Sequence, residues 1–245
     1  MTLDPPPRIL PCGDSAVSVE FGDTVDATLN DRVLALDMAL AEAPFAGFVE
    51  AVPTYRSLMV HYDPVAIGFD AVAALLLNLA ASAPARPAAG RRWRIPVVYG
   101  GEYGIDLEDV ARRHGLTPDE VVARHCAGDY RVYMIGFLPG FSYLGGLDQS
   151  IATPRRDDPR LLTPPGTISI GGVQAAVQCL AAPSGWHLLG RTPVRTYQPG
   201  RDPVFLLSPG DLVVFHRIDE TDWAALDAAA EAGEPVAELV PDARP

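Results

Sequence analysis

The spacing of apolar residues in the first third of the chain alternates between the strand period and the helix period. Residues 17–21 alternate apolar and polar side chains, which predicts a strand. Apolar residues then recur every three or four positions over residues 25–40. This spacing predicts an amphipathic helix, with Asp23 or Thr24 as its cap.

Two more strands and a second helix follow in the same third of the chain. Residues 47–53 and 57–62 have strand character and are separated by a turn, and residues 70–81 predict a helix buried on most sides. The order strand, helix, strand, strand, helix is typical of a small α+β sandwich of the ferredoxin-like type.

Proline and small residues interrupt this pattern at residues 83–90, which we interpret as a linker. We therefore predict a domain of residues 1–85 and a second domain of residues 86–245. The second one begins with a predicted strand at residues 93–99 and an amphipathic helix at residues 106–114.

The next helix has a strong start signal. Thr117 is a capping residue, Pro118 occupies the first helical position, and Glu120 can reach back to the cap. Further on, the pattern predicts that residues 204–207 and 212–215 form the two strands of a β-hairpin, and that residues 222–232 form a final helix.

Between these elements, residues 130–193 are rich in glycine and proline, with aromatic residues and arginines set among them. Glycine frees the backbone and proline fixes φ, so this segment predicts loops of defined shape, where functional sites concentrate. A β-barrel with many tight turns is the alternative interpretation.

Composition narrows the function. The chain is 48% hydrophobic and 20% charged, as expected for a folded domain with a real core. Its formal net charge of -12 argues against binding to nucleic acids or to anionic membranes. The longest uncharged run, residues 71–85, is too short to span a bilayer. The three cysteines show no paired spacing, which indicates reduced thiols and a cytoplasmic protein.

All the basic residues are arginines, since the sequence contains no lysine. This excludes a P-loop lysine and a Schiff-base mechanism. An anionic substrate would have to be held by arginine, histidine or backbone N–H groups.

Two enzyme classes fit the sequence poorly. Residues 140–145 come close to the nucleophile elbow of serine hydrolases, but the final glycine is one position late and no strand and helix flank the turn. The five histidines lack the spacing of metal ligands, so no metal site is predicted.

The arginines of the glycine- and proline-rich segment are the main candidates for binding chemistry. Rigid turns can preorganise a guanidinium group to fork a carboxylate or a phosphate. The alternative is that they are solvated and pair with Asp157 or Asp158. They are Arg155, Arg156, Arg160 and Arg191.

Long motifs in this sequence resemble one family. The resemblance extends over residues 8–218, and it is carried by GDSAVSVEFGD (13–23), YRSLMVHYDP (55–64), IPVVYGGEYGIDLEDVA (95–111), YRVYMIGFLPGFSYLGGL (130–147), ATPRR (152–156) and GRTP (190–193). The family is that of the 5-oxoprolinase B subunits, also called allophanate hydrolase subunit 1, and it includes a sporulation-kinase inhibitor.

This resemblance implies an α+β protein, with a small ferredoxin-like N-terminal domain followed by a cyclophilin-like β-barrel. It implies a B subunit that works with the A and C subunits to open the lactam of 5-oxo-L-proline to L-glutamate, with ATP and Mg²⁺ as cofactors of the complex. The C subunit resembles allophanate hydrolase subunit 2. The alternatives are a component that acts on allophanate or in a urea-type carboxyltransferase, and a non-catalytic inhibitor of a sensor histidine kinase.

We map roles onto family-like positions by physical reasoning. His125, Arg155 and Arg191 are the predicted catalytic residues, and the predicted substrate-binding residues are Phe141, Tyr143, Arg160, Gln174 and Trp186. Structural alternatives stay open for two of them, since His125 could cap or pack a helix and Trp186 could belong to the core.

The sequence departs from the family pattern near this predicted pocket. Ser142 stands where proline is usual, Ser184 stands where glycine is usual, and residues 175–179 differ at several positions. These departures bear on the identity of the substrate rather than on the fold.

Overall fold

A computed structural model describes residues 6–83 and 90–241 of the chain. The chain divides into two compact units, residues 1–89 and 90–245. The predicted domain boundary after residue 85 and most of the predicted linker fall on residues 84–89, outside the described residues. That boundary therefore stays a prediction.

The first unit is one four-stranded antiparallel sheet with two helices. Its elements are β1 (Arg8–Pro11), β2 (Ala16–Glu20), α1 (Ala27–Glu42), β3 (Phe48–Pro53), β4 (Ser57–Tyr62) and α2 (Phe69–Ser82). The strand order is β1-β2-β4-β3, so β4 lies between the two strands that α1 connects. This split arrangement, with β1 at the remaining edge, confirms the ferredoxin-like prediction.

Helix α1 begins later than the sequence pattern predicts. The Asp26 carboxylate accepts hydrogen bonds from the backbone N–H groups of Thr28 (2.8 Å) and Leu29 (3.1 Å). Asp26 is thus the cap, and the prediction of Asp23 or Thr24 was wrong. A carboxylate immediately before the first turn reaches the free N–H groups of the helix, and residues farther upstream do not.

Helix α2 is less buried than predicted. Val72 and Leu76 are its buried side chains, one helical turn apart, and Leu77 is 37% exposed. The helix therefore packs along one stripe. Its alanine and leucine content led to the wrong prediction, because composition does not say which faces of a helix find a neighbour.

The second unit is built around strands of one large sheet. Its elements are β5 (Arg92–Tyr99), α3 (Leu107–His114), α4 (Pro118–Ala127), β6 (Tyr130–Ile135), β7 (Ser142–Gly145), β8 (Arg160–Thr163), β9 (Thr167–Gly171), β10 (Gln174–Val177), β11 (Ala182–Ser184), β12 (His187–Arg191), β13 (Leu212–Arg217), α5 (Trp223–Glu231) and β14 (Glu238–Val240). Two 3₁₀ turns lie at Gln149–Ile151 and Glu220–Asp222.

Seven of these strands form a closed barrel. They follow the order β12-β9-β10-β7-β6-β13-β5, and β12 pairs again with β5 to close the ring. Strand β14 extends the sheet from β5, and β8 pairs with β11 in a separate two-stranded sheet. Because the ring closes, every barrel strand has a neighbouring strand on both sides. The predicted α+β class with a barrel is confirmed.

The inward side chains of the barrel strands and the inner faces of α3 and α4 share one apolar core. Strands β5, β6, β7, β9, β10, β12 and β13 all contribute buried residues to it. The capping box that predicts α4 is present, with the Thr117 hydroxyl bonded to the Glu120 N–H (3.2 Å) and the Glu120 carboxylate to the Thr117 N–H (2.7 Å).

The predicted hairpin of residues 204–207 and 212–215 was wrong. Strand β13 pairs in parallel with β5 and antiparallel with β6. The Leu206 N–H and the Val204 carbonyl instead bond to Thr196 (2.9 Å) and Gln198 (3.1 Å). Backbone groups committed to that loop are not available to β13, so the turn at residues 209–210 joins a loop to a strand.

No helix in the described ranges is both long enough and apolar enough to cross a membrane. Within the same residues, no group of three or more His, Cys, Asp or Glu side chains is arranged to hold a metal ion.

Candidate functional site

Four aromatic side chains line one patch on the outside of the barrel. We call Phe137, Phe141, Tyr143 and Trp186 the aromatic wall. Neighbouring ring centroids lie 5.6 Å apart for Phe137 and Phe141, 4.8 Å for Phe141 and Tyr143, and 6.0 Å for Tyr143 and Trp186. Three of the predicted substrate-binding residues are therefore neighbours in space.

Strand alternation puts the wall outside the barrel. Successive residues of a strand point to opposite faces. Leu144 of β7 and Ala175 of β10 belong to the barrel core, so their neighbours Tyr143 and Ala176, which are register partners, face outwards. Ala176 and Cys179 pack beneath the wall with Phe141 and Trp186.

The loop before β7 carries Phe137 in a strained conformation. Its φ is +69°, in the left-handed region, and its side chain is 63% exposed. Backbone bonds from the Gly136 N–H to the Phe141 carbonyl and from the Phe141 N–H to the Leu138 carbonyl, both 3.1 Å, hold the loop closed. An exposed aromatic residue kept in such a conformation points to a functional surface.

Arg155 lies against this wall. Its guanidinium carbon is 5.5 Å from the centroid of the Trp186 ring. Burial raises the pKa of Tyr143, and the positive charge of Arg155 partly opposes that rise. No carboxylate among the described residues forms an ion pair with Arg155. The wall thus carries a positive charge that the described part of the protein does not neutralise.

Arg160, a predicted substrate-binding residue, is neutralised instead. Both of its terminal nitrogens bond to Asp106, at 2.8 Å and 2.6 Å, and Arg156 adds a third bond to the same carboxylate at 3.3 Å. Asp106 also accepts the Leu188 N–H at 2.8 Å. The predicted alternative, that these arginines pair with Asp157 or Asp158, is not what the structure has.

Arg191 has a third environment. Its guanidinium carbon lies 4.9 Å from the Trp223 ring centroid and 5.9 Å from that of Tyr103, and its Nε donates to the Pro165 carbonyl at 3.2 Å. The structure therefore gives Arg155, Arg160 and Arg191 different partners. It does not gather them around one anion as the sequence pattern predicts.

His125 does not belong to any surface. Its side chain is 0% exposed, stacks on Phe215 at 4.9 Å, and hydrogen-bonds through Nδ1 to the Tyr99 hydroxyl at 2.8 Å. Burial lowers its pKa to about 3. The ring is thus closed off from any substrate in this structure, and the catalytic role of His125 stays a prediction without a geometric basis. His125 lies on the buried side of α4, as expected from the alternative that it packs a helix.

Gln174 is the first residue of β10, and it lies near the wall. Its register partner across the β9–β10 hairpin is Gly171. A Cβ atom on Gly171 would come within 2.6 Å of the Trp186 ring, so this glycine allows the ring to lie flat on the backbone. Gln174 thus stays a candidate for contacting what binds at the wall.

Three residues around this patch have no site role predicted from the sequence. Asp106 has the pattern of a helix start, His187 has no motif, and Phe137 is one apolar residue in a loop. Their partners lie far away in sequence, for example Asp106 and Arg160. The one local signal was the density of aromatic residues between glycines in residues 136–145.

Comparison with known proteins defines the class first. Residues 7–207 match the family model of the carboxyltransferase domain, subdomain C and D. The chain is 41% identical over 224 residues to the Bacillus subtilis protein named as the B subunit of 5-oxoprolinase, with 87% of this chain and 93% of the relative covered. The chain therefore belongs to the family of 5-oxoprolinase B subunits within the carboxyltransferase class.

Solved structures agree with this fold. The TTHA0988 protein is 38% identical with a TM-score of 0.76, and the match covers 83% of this chain and 40% of TTHA0988. This chain thus spans well under half of that longer protein. Kluyveromyces lactis urea carboxylase has a TM-score of 0.78 at 18% identity, covering 96% of this chain and 24% of that one, which shows a shared fold alone.

Proposed function

We propose that this chain is the B subunit of an ATP-dependent 5-oxoprolinase, which works with the A and C subunits to hydrolyse 5-oxo-L-proline to L-glutamate. The Bacillus subtilis relative, of which 93% is covered, is named as the B subunit of 5-oxoprolinase. One observation within the fold carries the proposal to a site: Arg155 presents an unmatched guanidinium beside the aromatic wall.

The chemistry of the substrate suits this arrangement. 5-Oxoproline is a small, flat lactam ring with one carboxylate. Arg155 can donate two parallel hydrogen bonds to that carboxylate, and it binds more tightly where an aromatic face excludes water from one side. Tyr143 would then contact the ring, while Trp186, which is 6% exposed, would support the Arg155 guanidinium from beneath. These residues bind and orient the substrate, while an amide as stable as a lactam still needs activation.

ATP would supply that activation by phosphorylating the lactam oxygen, which turns a poor electrophile into one with a leaving group. We propose that ATP and Mg²⁺ act in the assembled complex, and we assign no ATP-dependent step to residues of this chain.

The test is reconstitution. Purified A and C subunits are mixed with this chain, 5-oxoproline and ATP, and glutamate is measured. We expect glutamate only in the complete mixture, and a strongly reduced rate with the Arg155→Met variant. Arg94→Met is the matched control, because Arg94 is an exposed arginine of the same unit that pairs with Glu238. A complete mixture that forms no more glutamate than one lacking this chain rejects the proposal.

A component that acts on allophanate, or in a urea-type carboxyltransferase, is the second candidate. The observation that favours it is the position of the residues that depart from the family pattern. Ala176 and Cys179 pack directly beneath the aromatic wall, and Ser142 is fully buried at the start of β7. Changes there can reshape the site. Offering 5-oxoproline and allophanate to the same complex distinguishes the two, and turnover of allophanate alone would favour the second.

We also propose a cytoplasmic location. Cys12, Cys126 and Cys179 are all free thiols in the structure, as is usual in a reducing compartment. Cell fractionation followed by detection of the chain tests this, and recovery outside the cytoplasmic fraction contradicts it.

A further inference from the structure

We infer that His187 is a positioning residue, which fixes Arg155 over Trp186 by holding the backbone next to it. This role rests on the proposed function, because it concerns the same binding site. Two hydrogen bonds flank Trp186, one between backbone groups and one from the His187 side chain to the backbone. The Arg156 N–H donates to the Gly185 carbonyl at 2.8 Å, and Nε2 of His187 lies 2.9 Å from the Pro154 carbonyl.

These two links place residue 155 opposite residue 186. The neighbours of Arg155 are tied to the neighbours of Trp186, one on each side. The side chain at position 155 therefore leaves the backbone directly beside the indole ring, and the guanidinium group lies over it. The Gly172 N–H also donates to the Thr153 carbonyl at 2.7 Å, so the His187 bond is the tie directly before Arg155 in a loop that is held at Thr153 and Arg156 as well.

The next arginine contributes to the same arrangement. Arg156 turns to Asp106, and its Nε also donates to the Asp158 carbonyl at 3.2 Å. The Asp106 carboxylate thus neutralises the charge of Arg156. Of the two consecutive arginines, Arg155 remains available to a ligand. The loop is thus held at position 154 by His187 and at position 156 by Gly185 and Asp106.

The burial of His187 makes its link specific. The side chain is 1% exposed, and since a carbonyl oxygen can only accept, Nε2 must carry the proton. In the described part of the chain, Nδ1 is buried without a hydrogen-bond partner. Burial lowers the pKa of His187, and the charges of Asp106, Arg113, Arg156 and Asp109 also act on the ring. The neutral Nε2–H tautomer is the form that supports Arg155.

Preorganisation has a kinetic consequence. If Arg155 is held in place before substrate arrives, binding does not have to immobilise it, and the substrate is met by a fixed charge. Removing the link should therefore weaken substrate binding more than it slows the chemical step. His187→Leu removes the N–H donor. His187→Gln keeps a side-chain amide N–H at a comparable reach.

The first readout needs no enzyme activity. The tryptophans are labelled with fluorine, and the ¹⁹F resonance of Trp186 is assigned with the Trp186→Phe variant. We expect Arg155→Met to shift this resonance, His187→Leu to shift it in the same direction, and His187→Gln to restore most of the native position. An unchanged resonance in folded His187→Leu, while Arg155→Met shifts it, overturns the inference.

The second readout uses the reconstituted complex. We expect His187→Leu to raise the KM for 5-oxoproline about tenfold with a smaller change in kcat, and His187→Gln to recover most of it. A tenfold fall in kcat with an unchanged KM contradicts the inference. If the complex forms no glutamate at all but the ¹⁹F shifts appear as described, the proposed function fails and the positioning role stands.

A third measurement uses the unaltered chain, in case His187→Leu does not fold. The ¹⁵N shifts of the His187 ring report which nitrogen carries the proton. A protonated Nε2 with slow solvent exchange supports the link to Pro154. A proton on Nδ1 with a bare Nε2 overturns it, since two acceptors cannot form a hydrogen bond.

Discussion

The Asp106 carboxylate holds the Arg160 guanidinium in a two-point fork, with N–O distances of 2.6 Å and 2.8 Å. The Asp106 side chain is 4% exposed and that of Arg160 is 22% exposed. The fork ties the start of α3 to strand β8, and a third and a fourth bond, from Arg156 and the Leu188 N–H, complete the shell of the carboxylate. The loop that carries Arg155 is thereby attached to the barrel.

This arrangement predicts a large effect of Asp106→Asn. The amide has the same shape but brings N–H donors to a place where four donors already converge, and it leaves two arginines without their counter-ion. We expect the free energy of unfolding to fall by about 3 kcal/mol, measured by urea denaturation. Asp119→Asn is the control, because the Asp119 pair with Arg217 is largely exposed, and it should leave the midpoint unchanged. Equal midpoints for both variants contradict the prediction.

Arg155 predicts a different outcome, a loss of activity without a loss of stability. Its guanidinium rests on Trp186 and pairs with no carboxylate in the described structure. A charge-assisted bond to a substrate carboxylate contributes about 1.5–3 kcal/mol, so Arg155→Met should lower kcat/KM by roughly 10–100-fold. Arg155→Lys should recover part of it, because lysine keeps the charge but not the fork.

The matching stability measurement for Arg155→Met is thermal unfolding, where the midpoint should equal that of the native chain. The assay is glutamate formation by the complete complex. A variant that unfolds earlier and loses activity in proportion would indicate a structural role. Full activity in the stable variant would remove Arg155 from the site.

For Phe137, we predict that a substitution weakens substrate binding without destabilising the fold. Phe137→Gly relieves the strain of a φ of +69° and removes a side chain that is mostly in water, at the cost of its contact with Phe141. These effects oppose each other, so the free energy of unfolding should stay within about 1 kcal/mol of the native value. The KM for substrate should rise severalfold.

Phe141→Ala is the comparison for Phe137→Gly. Phe141 is 6% exposed and packs on Trp186 and Ala176 beneath the wall. Its truncation should destabilise the fold by about 3 kcal/mol. If Phe137→Gly is as destabilising as Phe141→Ala, the exposed Phe137 ring has a structural role and is not part of the binding site.

His125 predicts a loss of stability in acid. Burial lowers its pKa from 6.5 to about 3, and its neighbours Tyr99, Tyr130 and Cys126 all have raised pKa values, so they stay neutral there. The unfolded chain binds a proton at His125 near pH 6.5 and the folded chain does not until about pH 3. The stabilising effect of the neutral ring is therefore complete above pH 6.5 and is lost as the pH falls towards 3, by about 4–5 kcal/mol in total.

The measurement for His125 is the difference between the pH–stability curves of the native chain and of His125→Phe. His187 and His216 also have lowered pKa values, and they contribute equally to both curves. The native curve should fall more steeply between pH 6 and about pH 4. Parallel curves would mean that the ring takes up its proton at the same pH in the folded and the unfolded chain, which contradicts the prediction.

Local signals determined the elements whose causes are local. The capping box of α4 and Gly115, which ends α3 with a φ of +66°, both act within one helical turn, so their positions follow from the sequence alone. The wrong hairpin at residues 204–207 shows the limit of such signals. Two apolar runs around a turn predict pairing with each other, but here one run bonds to residues 196–198.

The sequence by itself determined the α+β class, the family motifs and the set of aromatic and arginine side chains from which the site is drawn. Tertiary structure decided which of them meet. His125 and Arg155 are both polar residues beside the same glycine-rich segment, yet one is sealed in the core and the other lies on Trp186. The physical reason is that burial and charge pairing depend on contacts between residues distant in sequence, such as Asp106 with Arg160, which the tertiary fold creates and sequence spacing does not record.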